Sequence, residues 1–101
     1  MNGQTSPSGS LFPYHYKGGE LHCLKYGGFH NDETALFSRI DDEEEFFISS
    51  KRKLNTWIDL YETNVSRRVI RKLVDNIAHI SPQVRRLALV GDFTIIRKLV
   101  V

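Results

Sequence analysis

The chain has 101 residues and a formal net charge of +2, with 41% hydrophobic and 26% charged residues. This length fits a single domain, and the composition is ordinary for a globular protein. No apolar run reaches the roughly 20 residues of a transmembrane helix, and residues 1–10 lack the charged and apolar regions of a secretory signal. A single cysteine, Cys23, excludes an internal disulfide. We therefore expect a cytoplasmic protein without a membrane partner.

Charge is distributed unevenly along the chain. Residues 1–50 carry three basic and eight acidic side chains, a net charge of −5, whereas residues 51–101 carry eleven basic and four acidic ones, a net charge of +7. Such asymmetry can mark a surface for a charged partner. The two halves can also neutralise each other inside the fold, and the sequence leaves both alternatives open.

Residues 1–19 predict a disordered or irregular N-terminal segment. The first ten residues (MNGQTSPSGS) are small and polar, and an aromatic patch and a glycine turn follow them. Residues 20–26 (ELHCLKY) alternate in part and predict a first strand. We therefore place one α/β domain over residues 20–101 and expect its C-terminal helix to be missing or incomplete.

Residues 32–53 predict an acidic helix after this strand. Apolar side chains recur at helical spacing, Asn31 and Asp32 are N-cap candidates, and basic residues at 51–53 suit a helix C-terminus. The pattern fits one helix. It also fits two helices that divide at Ile40 and restart at Asp41, and periodicity does not choose between these alternatives.

The clearest pattern lies between residues 55 and 91. Residues 57–61 (WIDLY) predict a mostly buried strand, residues 66–79 an amphipathic helix that stops at Ser81-Pro82, and residues 86–90 (RLALV) a second strand. Two buried strands joined by a helix form a βαβ unit, with parallel strands and a right-handed crossover. The predicted fold class is therefore α/β, a small mixed or parallel sheet with flanking helices.

Residues 93–101 (FTIIRKLVV) predict the beginning of another amphipathic helix. Its apolar residues would leave apolar surface exposed unless it packs against something, and exposed apolar patches usually mark an interface. Symmetric dimers are the commonest oligomers. We therefore expect a homodimer.

Three histidines and the cysteine lie between residues 15 and 30. Zinc sites use compact pairs such as C-x₂₋₄-C and H-x₃₋₅-H, whereas His15, His22, Cys23 and His30 are spaced seven, one and seven residues apart. Adjacent residues on a strand also point to opposite faces. We therefore predict no metal and no other cofactor. Cys23 is interpreted as a small core residue, because no neighbouring group is placed to lower its pKa.

Polar residues at the predicted strand ends form a candidate ligand site. Asp59, Glu62, Thr63 and Asn64 lie at the end of the first strand of the βαβ unit, and Asp92 follows the second. Ligands of doubly wound proteins bind at the carboxyl ends of strands. The loop has no glycine-rich phosphate motif, and no second carboxylate pairs with Asp59 for acid–base catalysis. A small-ligand or enzymatic domain is therefore the alternative function, without assigned catalytic residues.

The predicted helix at residues 66–79 carries four basic side chains away from its apolar face: Arg67, Arg68, Arg71 and Lys72. Nucleic-acid binding favours exposed aromatic residues among such charges, and this helix has none. We therefore predict a protein partner with an acidic surface rather than nucleic acid. The plain alternative is that these charges solvate the helix or balance acidic residues 41–45.

The order of elements resembles the STAS domain of anti-sigma-factor antagonists and its SpoIIAA-like relatives. Residues 57–60 match its central strand, residues 66–80 the following helix and residues 86–91 the next strand, within a likeness over residues 20–101. The resemblance implies a non-enzymatic, regulatory protein-interaction domain in bacteria. It also implies a phosphoacceptor at the start of the helix after the central strand, where Ser66 is nearest in position and Thr63 second.

Overall fold

The described chain folds into six strands and two helices. The computed structural model describes residues 4–17 and 19–91. Its elements, in chain order, are β1 (Gln4–Thr5), β2 (Leu11–Phe12), β3 (Tyr14–Tyr16), β4 (Gly19–Lys25), α1 (Glu33–Ser50), β5 (Leu54–Asp59), α2 (Arg67–Ile80) and β6 (Val84–Val90). Within these residues, no helix has the length and apolar character needed to span a bilayer.

Four strands form one mixed sheet in the order β3-β4-β5-β6. The short β3 pairs antiparallel with β4, whereas β4, β5 and β6 are mutually parallel. Parallel neighbours need a crossover, and α1 and α2 supply the two crossovers. Because both crossovers advance across the sheet in the same direction, the right-handed rule places both helices on one face. The predicted α/β class and the parallel pairing of β5 with β6 are confirmed.

The hydrophobic core fills the space between this face and the two helices. On β5, Leu54, Thr56 and Ile58 are buried, whereas Asn55 and Trp57 between them are exposed. The core residues opposite them come from both helices: Leu36, Ile40 and Phe47 from α1, and Val69, Leu73 and Ile80 from α2.

The acidic segment is one continuous helix. Asp32 is its N-cap and accepts a hydrogen bond from the Ala35 N–H at 3.0 Å. At the other end, Lys51 adopts a left-handed conformation and its N–H donates to the Ile48 carbonyl. Of the two alternatives that the sequence leaves open, the single helix is therefore correct, and its acidic turn after Ile40 places one carboxylate, Glu43, in the interior.

The N-terminal segment differs from the irregular structure that its composition predicts. Within residues 4–17, β1 and β2 form an antiparallel hairpin, and β3 joins the main sheet through β4. Phe12 is 4% exposed and belongs to the core. The order comes from contacts with distant residues rather than from local propensity. The helix predicted over residues 93–101, and Asp92 with it, lie outside the described residues.

Candidate functional site

Neither helix covers the second face of the sheet. Cys23, Trp57 and Ala88 lie side by side across β4, β5 and β6, and the alternation of β5 directs them away from the helices. Trp57, on a strand with a neighbour on each side, remains 38% exposed. Parallel sheets are normally covered on both faces. The described chain therefore presents apolar surface where such sheets usually pack against another element.

Two shallow cavities adjoin on this face, and Trp57 lines both of them. One has a volume of about 320 Å³ and is also lined by Leu21, Arg86 and Ala88. The other has a volume of about 350 Å³, and its remaining lining residues are Gly9, Ser10, Leu11, Tyr14, Cys23 and Lys25. We call the two cavities together the Trp57 groove. It is an elongated apolar depression centred on one aromatic side chain.

The charged residues of the groove are mainly basic. Lys25 lies on one side of Trp57 and Arg86 on the other. Among the described residues, no carboxylate lies within 4.0 Å of either cationic group. Asp59 is beside Lys25 in the strand register, but its Oδ1 accepts a hydrogen bond from the Tyr61 N–H at 3.0 Å. The groove therefore places two basic side chains around an apolar centre, with Asp59 beside one of them in the strand register.

The N-terminal hairpin forms one side of the groove. Gly9, Ser10 and Leu11 line the second cavity, and Leu11 is 58% exposed. The Ser10 hydroxyl donates to the carbonyl oxygen of Cys23 at 2.6 Å, which fixes this end of the hairpin to β4. The shape of the groove therefore depends on where the hairpin is held.

A buried carboxylate binds the turn of the hairpin from the side of α1. Glu43 Oε2 accepts hydrogen bonds from the Ser6 hydroxyl at 2.6 Å, from the Ser8 backbone N–H at 2.8 Å and from the Ser8 hydroxyl. Glu43 Oε1 lies 3.0 Å from Nε2 of His22. We call Ser6, Ser8, His22 and Glu43 the Glu43 cluster. It joins the hairpin, β4 and α1 around one charge.

Physical chemistry favours the ionised form of Glu43. Burial alone would raise its pKa, but the hydrogen bonds from His22, Ser6 and Ser8 outweigh burial and lower it below its usual value. Aromatic rings surround the pair, with the Phe12 ring edge-on to His22 at a centroid distance of 4.8 Å. His22 Nδ1 has no hydrogen-bond partner within the described part of the chain. The cluster therefore has a fully buried His22–Glu43 pair at its centre, and Ser8 is its half-buried member.

Of the residues predicted as a ligand site, Asp59, Glu62, Thr63 and Asn64 lie at the carboxyl end of β5, beside the loop that follows β4. A cavity of about 450 Å³ there is lined by Glu62, Thr63 and Asn64 from the loop after β5, and by His30 and Asn31 from the loop after β4. Asp59 is not among the lining residues, and Asp92 lies outside the described range. The structure thus brings part of the predicted set together and adds His30, which the sequence suggested only as a metal ligand.

Two non-glycine residues of this strand-end cavity have left-handed backbone conformations. His30 has a φ of 51° and Glu62 a φ of 59°, and such conformations cost energy and are frequent at functional sites. The two loops are joined directly, since the His30 N–H donates to the Glu62 carbonyl at 2.8 Å and the Asn64 N–H donates to the His30 carbonyl at 2.7 Å. The strain is therefore held by pairing between the loops.

The four basic residues of α2 fall into two pairs. Arg68 Nε lies 3.2 Å from Glu33 Oε1, and the Lys72 ammonium contacts Asp41, so both bind carboxylates of α1. Arg67 and Arg71 have no carboxylate within 4.0 Å among the residues that the structure describes. Half of the predicted basic surface is thus neutralised by the acidic helix beside it.

The hydroxyl groups of the two candidate phosphoacceptors, Ser66 and Thr63, each donate one hydrogen bond and accept another. Ser66 is the N-cap of α2, where its Oγ accepts from the Val69 N–H at 3.2 Å and donates to Glu33 at 2.6 Å. The buried Thr63 hydroxyl donates to the Tyr26 carbonyl at 2.7 Å and accepts from the Phe29 N–H at 3.1 Å. A phosphate on Ser66 would face the Glu33 carboxylate, and one on Thr63 would disrupt the loop pairing.

The histidines near the N-terminus lie in separate places. His15 is exposed beside Glu20, His22 is buried in the Glu43 cluster and His30 lines the strand-end cavity. Over the described residues, no group of three or more potential metal ligands comes together. Cys23 lies half-buried on the Trp57 face rather than in the core, and burial raises its thiol pKa, which disfavours the reactive thiolate.

Sequence reasoning missed the Trp57 groove and the Glu43 cluster. The signal for Glu43 was present, since it follows Ile40 by three residues and precedes Phe47 by four, which places it on the apolar face of α1.

Comparisons of the chain with protein-family models, with curated proteins and with solved structures gave no match. Function is therefore inferred from the Trp57 groove, the Glu43 cluster and the strand-end cavity.

Proposed function

We propose that this protein is a non-enzymatic, regulatory protein-interaction domain of STAS-like type that binds its partner in the Trp57 groove. The observation that carries the proposal is the 38% exposure of Trp57 in the middle of a sheet face that the described helices leave uncovered. Tryptophan is enriched among the residues that dominate interface energies. The order of strands and helices in the fold supports the STAS-like part of the proposal.

The chemistry of the groove indicates the kind of partner. Its centre is apolar, with Leu11, Leu21 and Ala88 around Trp57, so the partner should insert apolar side chains. Lys25 and Arg86 flank this centre, and no carboxylate among residues 4–17 and 19–91 lies within 4.0 Å of either, so acidic residues should surround the inserted side chains. Nucleic acid fits less well, because a strand-binding surface combines stacking aromatics with a continuous basic track. The proposed partner is therefore an acidic protein segment with an apolar centre.

A random peptide library displayed on phage tests this proposal, because the selected sequences themselves reveal the chemistry that the groove prefers. We expect selection on the full chain to enrich peptides with one or two large apolar residues flanked by Asp and Glu. Binding of the enriched peptides should fall at least tenfold in Trp57→Ala and in Lys25→Glu/Arg86→Glu. The matched control is Arg67→Glu/Arg71→Glu, which changes the same amount of charge on α2 and should retain binding.

Three outcomes would contradict the proposal. Peptides that bind Trp57→Ala as well as the wild type would place the interface elsewhere, and loss of binding in the Arg67/Arg71 control would place it on α2. Tight binding of a labelled single-stranded oligonucleotide, abolished in Lys25→Glu/Arg86→Glu, would indicate nucleic acid. Light scattering that shows a wild-type dimer and a Trp57→Ala monomer would indicate that a second copy of the chain occupies the groove.

The strand-end cavity supports a second candidate function, the binding of a small ligand. The specific observation is that His30 and Glu62 both hold left-handed conformations in its lining. Glu62→Gly should relieve this strain and stabilise the protein, because glycine adopts such conformations without steric cost. A thermal-shift screen with metabolites should then find compounds that stabilise the wild type but not Glu62→Gly. The absence of any such compound would remove support for this function.

A further inference from the structure

The N-terminal hairpin has little structure that could hold it in place by itself. β1 and β2 contain two residues each and share two register pairs, Gln4 with Phe12 and Thr5 with Leu11. Short two-stranded hairpins are marginally stable in water when isolated. Residues 4–10 therefore depend on their contacts with the rest of the molecule for a fixed position.

Three of the four hydrogen bonds that join residues 4–10 to parts of the described molecule outside the hairpin end on one atom, Glu43 Oε2, and the fourth joins the Ser10 hydroxyl to the Cys23 carbonyl. Three donors from Ser6 and Ser8 converge on Glu43 Oε2, and a further bond inside the turn joins the Ser10 N–H to Ser6 Oγ at 3.2 Å. Ser6 is 3% exposed, so its hydroxyl cannot exchange Glu43 for water while the hairpin stays closed, whereas Ser8 is half-buried. The position of the turn thus depends on one buried charge.

The hairpin also forms part of the Trp57 groove. The start of the turn binds Glu43, and the end of the turn lines the groove. Gly9, Ser10 and Leu11 line the groove immediately after the residues that bind Glu43. Phe12 follows and is anchored in the core, where its ring packs against Phe46 at a centroid distance of 4.9 Å. Release of Glu43 would therefore remove three of the four hydrogen bonds that position residues 4–10 from outside the hairpin, and leave the Ser10 bond to β4, Phe12 and the sheet in place.

We propose that Glu43 is a positioning residue that anchors residues 4–10 as one side of the Trp57 groove, so that the shape of the groove depends on a buried negative charge on the other side of the sheet. Glu43 acts through Ser6 and Ser8 and does not itself contact the groove. The consequence for partner binding rests on the function proposed above, whereas the anchoring of the hairpin does not.

Amide hydrogen exchange on the free protein tests the anchoring. In Ser6→Ala/Ser8→Ala, the His22–Glu43 pair stays intact and the two hydroxyl donors are lost. We expect amides of residues 4–10 to exchange roughly tenfold to a hundredfold faster, because hydrogen bonds to charged groups are about twice as strong as neutral ones. Amides of β5 should keep their protection. Glu43→Gln, which removes the charge itself, should also accelerate exchange in residues 4–10, but with faster exchange in β5 as well, because losing a buried partner lowers global stability.

Matched variants separate anchoring from general destabilisation. Ser8→Thr keeps the hydroxyl and should keep slow exchange in the turn, and Glu45→Gln removes an exposed charge from the same helix and should change nothing. Unchanged exchange of residues 4–10 in the double variant would overturn the proposal, and so would equal acceleration of hairpin and β5 amides in that variant. If the hairpin opens as expected but selected peptides bind the double variant unchanged, the link to the groove fails while the anchoring stands.

Discussion

Nε2 of His22 lies 3.0 Å from Oε1 of Glu43, and both side chains are completely buried. Bringing a carboxylate into the interior is costly, and well-packed apolar residues often stabilise such a position as well or better. Here the cost is offset by donors from two segments: His22 on β4, and the hairpin turn, which contributes the Ser6 and Ser8 hydroxyl groups and the Ser8 backbone N–H. A buried pair of this kind is better explained by positioning than by stability. It fixes which side of the hairpin faces the core.

The lowered pKa of Glu43 predicts how the pair contributes to stability as pH changes. In the unfolded chain the carboxyl has its ordinary pKa, whereas in the folded protein the pKa is lower, so the unfolded state binds more protons in acid. The contribution of Glu43 should be complete above about pH 5 and lost as pH falls through the lowered value. The difference in unfolding free energy between wild type and Glu43→Gln should be about 2–4 kcal/mol at neutral pH and shrink in acid.

Urea unfolding at a series of pH values checks this dependence. Glu45→Gln is the control, because it removes a charge from the same helix without removing a buried partner. Its difference from wild type should stay within about 0.5 kcal/mol throughout. A Glu43→Gln difference that is the same at all pH values would show that the charge of Glu43 does not contribute.

Neighbouring residues of α1 should differ sharply in their tolerance of truncation. Phe47 is fully buried and its ring lies 5.2 Å from that of His22, whereas Ile48 is 40% exposed. Phe47→Ala should lower the unfolding free energy by about 3–5 kcal/mol, because it leaves a cavity in the core. Ile48→Ala should cost less than about 1 kcal/mol. Similar costs for the two variants in urea unfolding would contradict the orientation of α1.

Local patterns are sufficient to predict α2 and the strands on either side of it. The apolar spacing of residues 69–77 and the stop at Pro82 give a helix that the structure has at Arg67–Ile80, and the parallel pair around it follows from chain direction. The exposure of Trp57 does not follow from the pattern. Its strand reads as mostly buried, because a short apolar run does not reveal whether a second helix layer covers the sheet.

The hairpin and the cluster beneath it depend on residues far apart in sequence. Ser8 and Glu43 are 35 positions apart, and no periodicity connects a serine-rich turn with one carboxylate among five acidic residues. The composition of the first ten residues therefore indicates disorder, whereas the buried Glu43 carboxylate holds the turn in one position through its hydrogen bonds. Part of the strand-end cavity is predictable, since chain topology alone places Glu62, Thr63 and Asn64 at the ligand-binding edge of a parallel sheet.

Gly27 should be intolerant of a side chain, because the loop after β4 passes very close to the loop after β5. An added Cβ would lie 2.5 Å from the Tyr61 carbonyl oxygen, so the two loops would have to separate. Gly27→Ala should cost about 1–3 kcal/mol, or roughly 4–8 °C in melting temperature for each kcal/mol. Gly19→Ala is the control, since its Cβ would lie 3.7 Å from the Tyr16 carbonyl oxygen, an ordinary van der Waals contact. An unchanged melting temperature in Gly27→Ala would contradict the loop geometry.

Charge reversal on α2 should destabilise the protein at the two basic residues that contact α1 and have little effect on stability at the other two. Arg68 and Lys72 contact Glu33 and Asp41, so Arg68→Glu/Lys72→Glu replaces two attractions by repulsions. Exposed pairs contribute little, and we expect a loss of roughly 1–2 kcal/mol at low salt. Arg67→Glu/Arg71→Glu, with no carboxylate within 4.0 Å among the described residues, should change stability by about 0.5 kcal/mol or less.

Urea unfolding at low salt and at about 1 M salt measures this contrast, because salt at that concentration screens charges beyond about 3 Å. The difference between the two double variants should shrink as salt is added, which identifies it as electrostatic rather than as a change in packing. Equal costs at low salt would mean that α1 does not neutralise α2. The opposite charges of the two halves would then remain available to an external partner. The basic helix would become a second candidate interface, in addition to the Trp57 groove.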